Sequence, residues 1–298
     1  MKIILSLLCV LLIVLASFSD GMEYPRGDVD YNGEVNVADV VTLIDYQLTG
    51  TWEDAPVDTA MEVITVNGVS FTMITVKGGT FMMGATAEQG LDANSWEKPA
   101  HQVTLSQFRI GQTEVTQELW EAVMGSNPSW YKGDPKRPVE MVSWTDCQNF
   151  IEQLNHMIGR NFRLPTEAEW EFAARGGNKS QGYKFSGSED VDEVAWHWDI
   201  IPSQTPGAPG YGTQPVATKQ PNELELYDMS GNVWEWCQDW YGNYSRDAQT
   251  DPTGPYAGSF RIFRGGSWSR SDVTCRVSFR NFNYPSTSDD TMGFRLAL

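Results

Sequence analysis

The chain has 298 residues and a formal charge of −18 at pH 7. With 41% hydrophobic and 20% charged residues, it has the composition of a globular protein that buries a core, which excludes a mainly disordered chain. A surface this acidic repels phosphate backbones, so we expect no nucleic-acid partner, and 4 cysteines are too few for a disulfide-framework miniprotein.

The N-terminus has the residue order of a secretory signal peptide. Lys2 precedes an apolar run over residues 3–15, and small residues begin at Ala16 and Ser17. This order predicts a signal peptide over residues 1–19 and an extracytoplasmic mature protein, which is secreted, periplasmic or held at the cell surface. The apolar run is short for a membrane span, so no transmembrane segment is expected after cleavage; an uncleaved anchor is the alternative.

Residues 24–50 contain a candidate calcium loop and a helix that follows it. Oxygen-bearing residues recur at every second position from Asp28, Gly33 stands where such a loop turns sharply, and an apolar stripe runs from Val40 to Leu48. The predicted calcium ligands are Asp28, Asp30, Asn32, Glu34 through its main-chain carbonyl, Asn36 and Asp39. The alternative interpretation is a solvated turn rich in Asp and Asn.

The segment from Gly27 to Val40 resembles a dockerin type I repeat. Loops of that family bind calcium and the module docks onto cohesins, so the resemblance implies calcium and a cohesin-like or other extracytoplasmic protein partner. The family normally carries two repeats, and the resemblance covers one. Residues 51–60 contain no second loop and are predicted to form a linker, with Gly50 and Pro56 as helix breakers.

Residues 61–298 are predicted to form one large domain. Hydrophobic residues alternate over residues 61–83, where the pair Asn67-Gly68 predicts a two-residue hairpin turn. A strand is expected from about Gln102 to Ile110, and a helix from Glu114 to Met124.

Two further helices carry clear start signals. Ser143 and Asp146 form a capping box before an apolar helical face that ends at Gly159. A second, shorter helix runs from Pro165 to Arg175. Beyond residue 177 the chain is rich in Gly, Pro, Asn, Ser and Trp, which predicts long ordered loops and short strands held by aromatic packing.

Seven motifs in this domain together carry a family resemblance. They are Gly78–Gly84, Thr113–Thr116, Pro138–Trp144, Arg163–Glu171, Gly231–Trp236, Arg264–Trp268 and Gly293–Arg295. In this order they resemble the sulfatase-modifying factor family, whose best-known members are formylglycine-generating enzymes. The resemblance covers residues 61–298 and implies an α+β fold with low regular secondary structure, a variant of the C-type lectin fold. A small EF-hand-like helical segment would precede it.

A second calcium site is expected between Asp228 and Glu235. These two residues supply carboxylates, while Gly231 and Val233 can supply main-chain carbonyls, and together they make an oxygen cage for calcium. The family has a calcium site in this segment, and all four matching positions here can serve. The alternative is that Glu235 caps a helix or pairs with an arginine.

The family's oxidase chemistry rests on two cysteines five residues apart, which hold Cu(I) through their thiolates. Alignment on the Gly-Gly-Ser turn places the second cysteine on Cys275 and the first on Arg270. A guanidinium has no lone pair to donate, so copper binding is doubtful. Cys275 and Ser267, another active-site position of the family, remain the catalytic candidates; a buried Cys275, or one paired with Cys237, is the alternative.

Three functions stay open on these residues. The first is an oxidase that converts a sulfatase cysteine to formylglycine, which the replaced cysteine opposes. The second, which we favour, is an exported, calcium-stabilised binding or structural module without catalysis. The third is a lectin-like binder, of a glycan for example, that uses loop residues Trp268, Arg270, Phe279, Phe282 and Tyr284. A further aromatic stretch contains Trp234, Trp236, Trp240 and Tyr241. A ligand platform is one interpretation of it, and the aromatic core of a loop-rich domain is the favoured one.

Overall fold

Short strands and helices alternate with long loops throughout the part of the chain that the computed structural model describes, residues 61–91 and 93–298. The strands are β1 (Met61–Val66), β2 (Val69–Val76), β3 (Gly79–Met83), β4 (His101–Leu105), β5 (Phe108–Gly111), β6 (Ala195–Trp196), β7 (Ser230–Gly231), β8 (Trp234–Trp240), β9 (Gln249–Thr250), β10 (Arg261–Arg264), β11 (Arg280–Asn283) and β12 (Met292–Gly293). The helices are α1 (Gln117–Met124), α2 (Trp144–Ile158), α3 (Glu167–Ala174) and α4 (Val191–Val194).

The predictions for the signal peptide over residues 1–19, the calcium loop and helix over residues 24–50 and the linker over residues 51–60 lie outside the described residues. The predicted ligands from Asp28 to Asp39 lie outside them as well. Within the described residues, no helix combines the length and the apolar character that crossing a bilayer requires.

The domain has three sheets of three or four strands and a separate parallel pair, β6 with β7. The first sheet has the order β1-β2-β5 and is antiparallel throughout. The second has the order β3-β4-β9, and the third has the order β11-β10-β8-β12, with β12 parallel to β8. Short strands in several small sheets leave most of the described residues in loops, and this confirms the predicted α+β architecture of low regular secondary structure.

The predicted hairpin is confirmed at Asn67 and Gly68. Val66 pairs with Val69, and the two turn residues have φ of 47° and 83°, the left-handed geometry that a two-residue turn between twisted strands requires. The predicted strand from Gln102 to Ile110 is wrong as one element, because β4 and β5 belong to different sheets. The chain breaks between them at Ser106, whose N–H donates to Asp251 Oδ1 (2.7 Å).

The predicted helices are confirmed with adjusted ends. In α2 the Ser143 capping box is present, and Gly159 closes the helix in the left-handed conformation. Helix α1 begins at Gln117 rather than Glu114, because the Thr116 side chain accepts from the N–H of Leu119 and caps the helix there. Thr166 caps α3 in the same way, with Glu169 completing a capping box.

The apolar core is divided between two large clusters of buried side chains. In one, α1 and α2 meet the C-terminal strand region. There Trp120 stacks on Phe150 at 5.1 Å, and the Phe294 ring packs edge to face against both of these rings. The other surrounds α3, in which every residue is buried, with Trp170 at its centre. Helix α3 therefore has no solvent-facing side, and its three glutamates are buried together with its apolar residues.

Buried ion pairs connect the strands, helix α3 and loops of the domain. Each joins an arginine to a glutamate far away in sequence, and the pairs are Arg264–Glu171, Arg276–Glu97, Arg280–Glu167 and Arg295–Glu235. A buried charge is tolerated only when it is paired and hydrogen-bonded. These pairs therefore hold together parts of the chain that are distant in sequence.

Candidate functional site

The turn after β10 brings the two catalytic candidates close together. Gly265 and Gly266 both adopt left-handed φ, of 96° and 82°, which glycine takes without strain. A Cβ on Gly266 would stand 2.8 Å from Cys275 Sγ, so only glycine permits the turn to approach the thiol this closely. The main-chain N–H of Trp268 then donates to Asn232 O (2.8 Å) and holds Ser267 in place.

Ser267 and Cys275 are both fully buried. The Ser267 hydroxyl has no hydrogen-bond partner among the described residues, which is uncommon for a buried polar atom. Burial raises the pKa of Cys275 to about 12, so at neutral pH the group is a thiol and not a thiolate. The pair is thus well placed but carries no activated nucleophile.

Arg270, at the position of the other family cysteine, is exposed and lies on the loop that leads from Ser267 to Cys275. Its carbonyl accepts from the N–H of Trp198 (2.9 Å), so its backbone is anchored while its side chain faces solvent. Cys147, Cys237 and Cys275 are free, buried and placed in three separate apolar clusters. The alternative of a Cys237–Cys275 disulfide is therefore wrong for this structure.

The predicted calcium segment lies next to a buried carboxylate centre. Glu235 forms a bidentate pair with Arg295, at 2.6 Å to both Nε and Nη2, and also accepts from the Trp170 indole (2.7 Å). The predicted alternative, in which Glu235 pairs with an arginine, is thus what the structure shows. Gly231 and Val233 lie on the segment between Asp228 and Glu235, and the Gly231 N–H donates to Gly265 O.

Asp228 keeps one oxygen open. Its Oδ2 accepts from the N–H of Ala217 (2.8 Å), whereas its Oδ1 is buried without a partner among the described residues. Burial raises the pKa of Asp228 to about 6. Glu114 lies beside it and accepts from Asn232 (2.7 Å) and from the N–H of Val233 (3.0 Å). Burial, with Asp228 and Glu235 nearby, raises the pKa of Glu114 as well.

The carboxyl groups of this centre meet only part of what a calcium site requires. The centre holds the three carboxyl groups of Glu114, Asp228 and Glu235 against one guanidinium, so a divalent cation would balance its charge. The open Asp228 Oδ1 suits a cation, while both Glu235 oxygens are already engaged. No group of three or more His, Cys, Asp or Glu side chains within residues 61–91 and 93–298 is arranged to hold a metal ion.

The loop residues predicted to contact a ligand divide into two groups. Trp268 and Phe279 are buried, at 2% and 8% exposure, so this part of the lectin-like contact surface is wrong. Arg270 and Tyr284 are exposed and Phe282 is half-buried. In the tryptophan-rich strand, Trp234 and Trp236 pack against Phe263 at 5.1 and 5.3 Å, which confirms aromatic core for those two.

An aromatic patch beside Ser267 was not foreseen. We define it as Tyr131, Tyr211 and Trp268, whose rings meet edge to face at 5.0 to 5.8 Å. The Tyr131 hydroxyl donates to Asp290 Oδ2 (3.0 Å), and the Trp268 indole donates to Asp290 O (3.0 Å). Tyr131 and Tyr211 are half-buried, so one side of the patch reaches solvent.

A buried carboxyl supports the patch from below. The N–H of Tyr131 donates to Glu140 Oε1 (2.7 Å), while Glu140 Oε2 is buried without a partner among the described residues. Burial raises the pKa of Glu140 to about 7. Glu140 falls within the motif Pro138–Trp144, and Glu114 falls within Thr113–Thr116. No spacing rule in the sequence indicates that Glu140 lies under the aromatic patch or that Glu114 lies beside Asp228.

The geometry places the domain in the C-type lectin-like fold class. Residues 62–298 match the model of the sulfatase-modifying factor enzyme 1-like domain. The chain is 32% identical over 284 residues to the formylglycine-generating enzyme of Streptomyces coelicolor, covering 75% of this chain and 88% of that protein. It is 35% identical over 254 residues to the chaperone protein LppX of Paenibacillus barcinonensis, covering 71% and 83%.

A solved structure agrees with this assignment. Treponema denticola variable protein 1 superposes with a TM-score of 0.70 at 33% identity, covering 80% of this chain and 98% of that one. The chain therefore belongs to the sulfatase-modifying factor family.

Proposed function

We propose that the protein is an exported, calcium-stabilised binding or structural module of the sulfatase-modifying factor family that has no oxidase activity. The observation that carries the proposal is at the copper position. Exposed Arg270 stands where the family's chemistry needs a thiol, and the remaining thiol of Cys275 is fully buried. A guanidinium cannot donate to Cu(I), and one thiol cannot form the two-sulfur site.

The family relatives support roles other than oxidation. One of the similar proteins is named a chaperone and another a variable protein, alongside a formylglycine-generating enzyme. A shared fold does not fix a function, because function depends on the side chains of the site. In this chain Tyr131 and Tyr211 of the aromatic patch reach solvent, as Arg270 does, and these side chains suit contact with a ligand.

The oxidase remains the second candidate. Ser267 and Cys275 are kept at their family positions, and the chain is 32% identical to a formylglycine-generating enzyme. Such an enzyme would convert a sulfatase cysteine to formylglycine.

A turnover assay separates the two candidates. The purified chain is incubated with Cu(I), oxygen and a cysteine-containing sulfatase peptide, with the Streptomyces coelicolor enzyme as positive control, and the aldehyde is sought by mass spectrometry. We expect no product from this chain. Product that disappears in Cys275→Ser would overturn the proposal and establish the oxidase.

Calcium is the second part of the proposal. In the described domain Asp228 would offer its open Oδ1, with main-chain carbonyls of Gly231 and Val233, and calcium would neutralise the buried carboxylates. Glu235 would join only by sharing an oxygen that now accepts from Arg295 or Trp170. The loop from Asp28 to Asp39 is the other proposed site, and it rests on its sequence pattern.

Calorimetric titration of the full chain tests both sites. We expect two binding events, of which Asp28→Ala removes one and Asp228→Ala the other. Calcium should also raise the melting temperature, because a ligand that binds only the folded state stabilises it. The absence of heat at millimolar calcium would reject both sites.

The docking partner is the least direct part of the proposal. The single dockerin-like repeat in residues 24–50 favours a cohesin-like or other extracytoplasmic protein, with a glycan as the alternative at the aromatic patch. A glycan array with calcium present tests the alternative, and a blank array would count against it.

A further inference from the structure

A cavity of about 270 Å³ lies apart from the site described above. Its walls come from β4, from the first turn of α3, from the end of β8 and from the loop after β9, and none of its lining residues belongs to the Cys275 or Asp228 centres. The cavity contains a buried Asp239, whose side chain the proposed function does not use.

Asp239 presents an open acceptor to this cavity. The residue is 4% exposed, and its Oδ2 accepts from the N–H of Glu167 (2.9 Å). Its Oδ1 accepts no hydrogen bond from a described residue. Gly254, another residue of the cavity wall, lies so close that a Cβ there would stand 3.0 Å from Oδ1. Oδ1 therefore keeps a free acceptor on the side chain that lines the cavity.

His101 provides a second acceptor. Its ring is 3% exposed and packs against Tyr244 at 4.7 Å. Its Nδ1 lies 3.3 Å from the carbonyl oxygen of Pro99, which can only accept, so in the neutral ring Nδ1 carries the hydrogen. Nε2 then has a free lone pair, and no described residue donates to it.

The guanidinium and phenol donors of the cavity wall are already committed. Arg280 donates to both oxygens of Glu167 and to the carbonyls of Trp96 and Gly242. The Tyr244 hydroxyl donates to Glu167 Oε1 (3.2 Å). The cavity therefore offers acceptors to a ligand and has no strong cation left to attract an anion.

We propose that this cavity binds a primary ammonium group carried on an alkyl chain. The ammonium has three donors and no acceptor, and it would donate to Asp239 Oδ1 and His101 Nε2. The alkyl chain would lie against Pro252 and Pro255, which also line the cavity. Such a group comes either from a lysine side chain of a protein partner or from a small free amine.

The charge of Asp239 depends on pH. Burial, together with the neighbouring Glu167, raises the pKa of Asp239 to about 8. The other titratable or charged groups around this carboxyl and its cavity are Glu169, Arg261, Arg280, His101, Tyr244 and Cys237. An alkylammonium keeps its charge to about pH 10, so its binding should strengthen as pH rises through about 8.

The test titrates n-butylammonium chloride into the full chain and follows binding by NMR, with butan-1-ol as the neutral control. We expect butylammonium to bind at about pH 9, about tenfold more weakly at about pH 6.5, and butan-1-ol not to bind at all. Asp239→Asn should lose about tenfold in affinity. Asp251→Asn, next to Pro252 in sequence but outside the cavity lining, should bind as the wild type does.

Asp239→Asn can keep the acceptor for the Glu167 N–H, and circular dichroism checks its fold. Should it fail to fold, His101→Phe removes Nε2 while keeping a ring against Tyr244, and it should also weaken binding. Acetyl-lysine methylamide and its Nε-acetylated form then distinguish the sources, since tighter binding of the first than of butylammonium favours a lysine partner. Absence of binding at both pH values, equal binding of butan-1-ol, or full affinity in both Asp239→Asn and His101→Phe would overturn the proposal.

Discussion

Two buried polar regions of this domain differ in how completely their atoms are paired. Around Glu97, both carboxylate oxygens accept from Arg276 and Ser278, and the N–H of Asn94 adds a further donor. Around the turn after β10, Ser267 Oγ and Asp228 Oδ1 are buried and lack partners among the described residues. Both oxygens of the Glu97 carboxylate are thus paired, as in a structural network, whereas the second region keeps the open atoms expected of a ligand site.

The four buried ion-pair arginines and the three buried carboxyls of Asp228, Glu140 and Asp239 differ in the same way, since within the described part of the chain only the arginines have an oppositely charged partner. The arginines of the four buried pairs are held by glutamates, and each pair holds two distant parts of the chain together. Asp228, Glu140 and Asp239 instead have raised pKa values, because burial removes water and no cation among the described residues forms a salt bridge with them. Buried carboxyls of this second kind indicate where a ligand or a proton completes the structure.

The largest expected effect comes from removing the fully paired carboxylate of Glu97. Glu97→Ala leaves the guanidinium of Arg276 buried without its carboxylate, so we expect a loss of about 3–5 kcal/mol in the free energy of unfolding. Urea denaturation followed by fluorescence measures it. Glu62→Ala is the matched control, because Glu62 pairs with Arg109 and Arg160 near the surface, where such a pair contributes about 1 kcal/mol or less. Equal losses in the two variants would contradict the comparison.

The next effect is the pH dependence of stability. The pKa of Asp239 is raised to about 8 from 3.8, so between these values the folded protein binds a proton that the unfolded chain has released. Stability therefore falls as pH rises through this window, and Glu140, whose pKa is raised to about 7, acts with the same sign. Melting temperatures at about pH 5 and about pH 8 should differ less in Asp239→Asn than in the wild type. An unchanged difference would show that Asp239 is not the group responsible.

The smallest effect compares two buried serines. The Ser278 hydroxyl donates to Glu97 (2.6 Å) and accepts from Arg276 (3.1 Å), whereas that of Ser267 has no described partner. Ser278→Ala should cost about 1–3 kcal/mol in the free energy of unfolding, and Ser267→Ala should be neutral within about 0.5 kcal/mol or stabilising. Denaturation of the two variants side by side measures this, and a larger loss at Ser267 would mean that its hydroxyl has a partner in solution.

Local signals in the sequence predicted the local parts of this fold. The pair Asn67-Gly68 fixed a hairpin turn, and Ser143 with Asp146 fixed the start of α2, because these signals act over a few residues. The strand expected from Gln102 to Ile110 was wrong, since its division depends on Asp251, which is 145 residues from Ser106 in sequence.

The rest of the site required the structure. Arg276 and Glu97 are separated by 179 residues, and Arg295 and Glu235 by 60, so no spacing rule predicts either pair. Motif recognition located Ser267, Cys275 and the altered position 270, because these lie on one loop. The aromatic patch and the Asp239 cavity each combine residues from several elements that only folding brings together.

Copper affinity is the most direct test of the central claim, that the oxidase site is broken at one position. Cu(I) is titrated in competition with a chelator into the wild type, Arg270→Cys and the matched control Arg270→Ser. We expect Arg270→Cys to take up one copper per chain, because a second thiolate completes the site beside Cys275, while the other two leave copper with the chelator. Stoichiometric copper binding by the wild type that is lost in Cys275→Ser would contradict the claim.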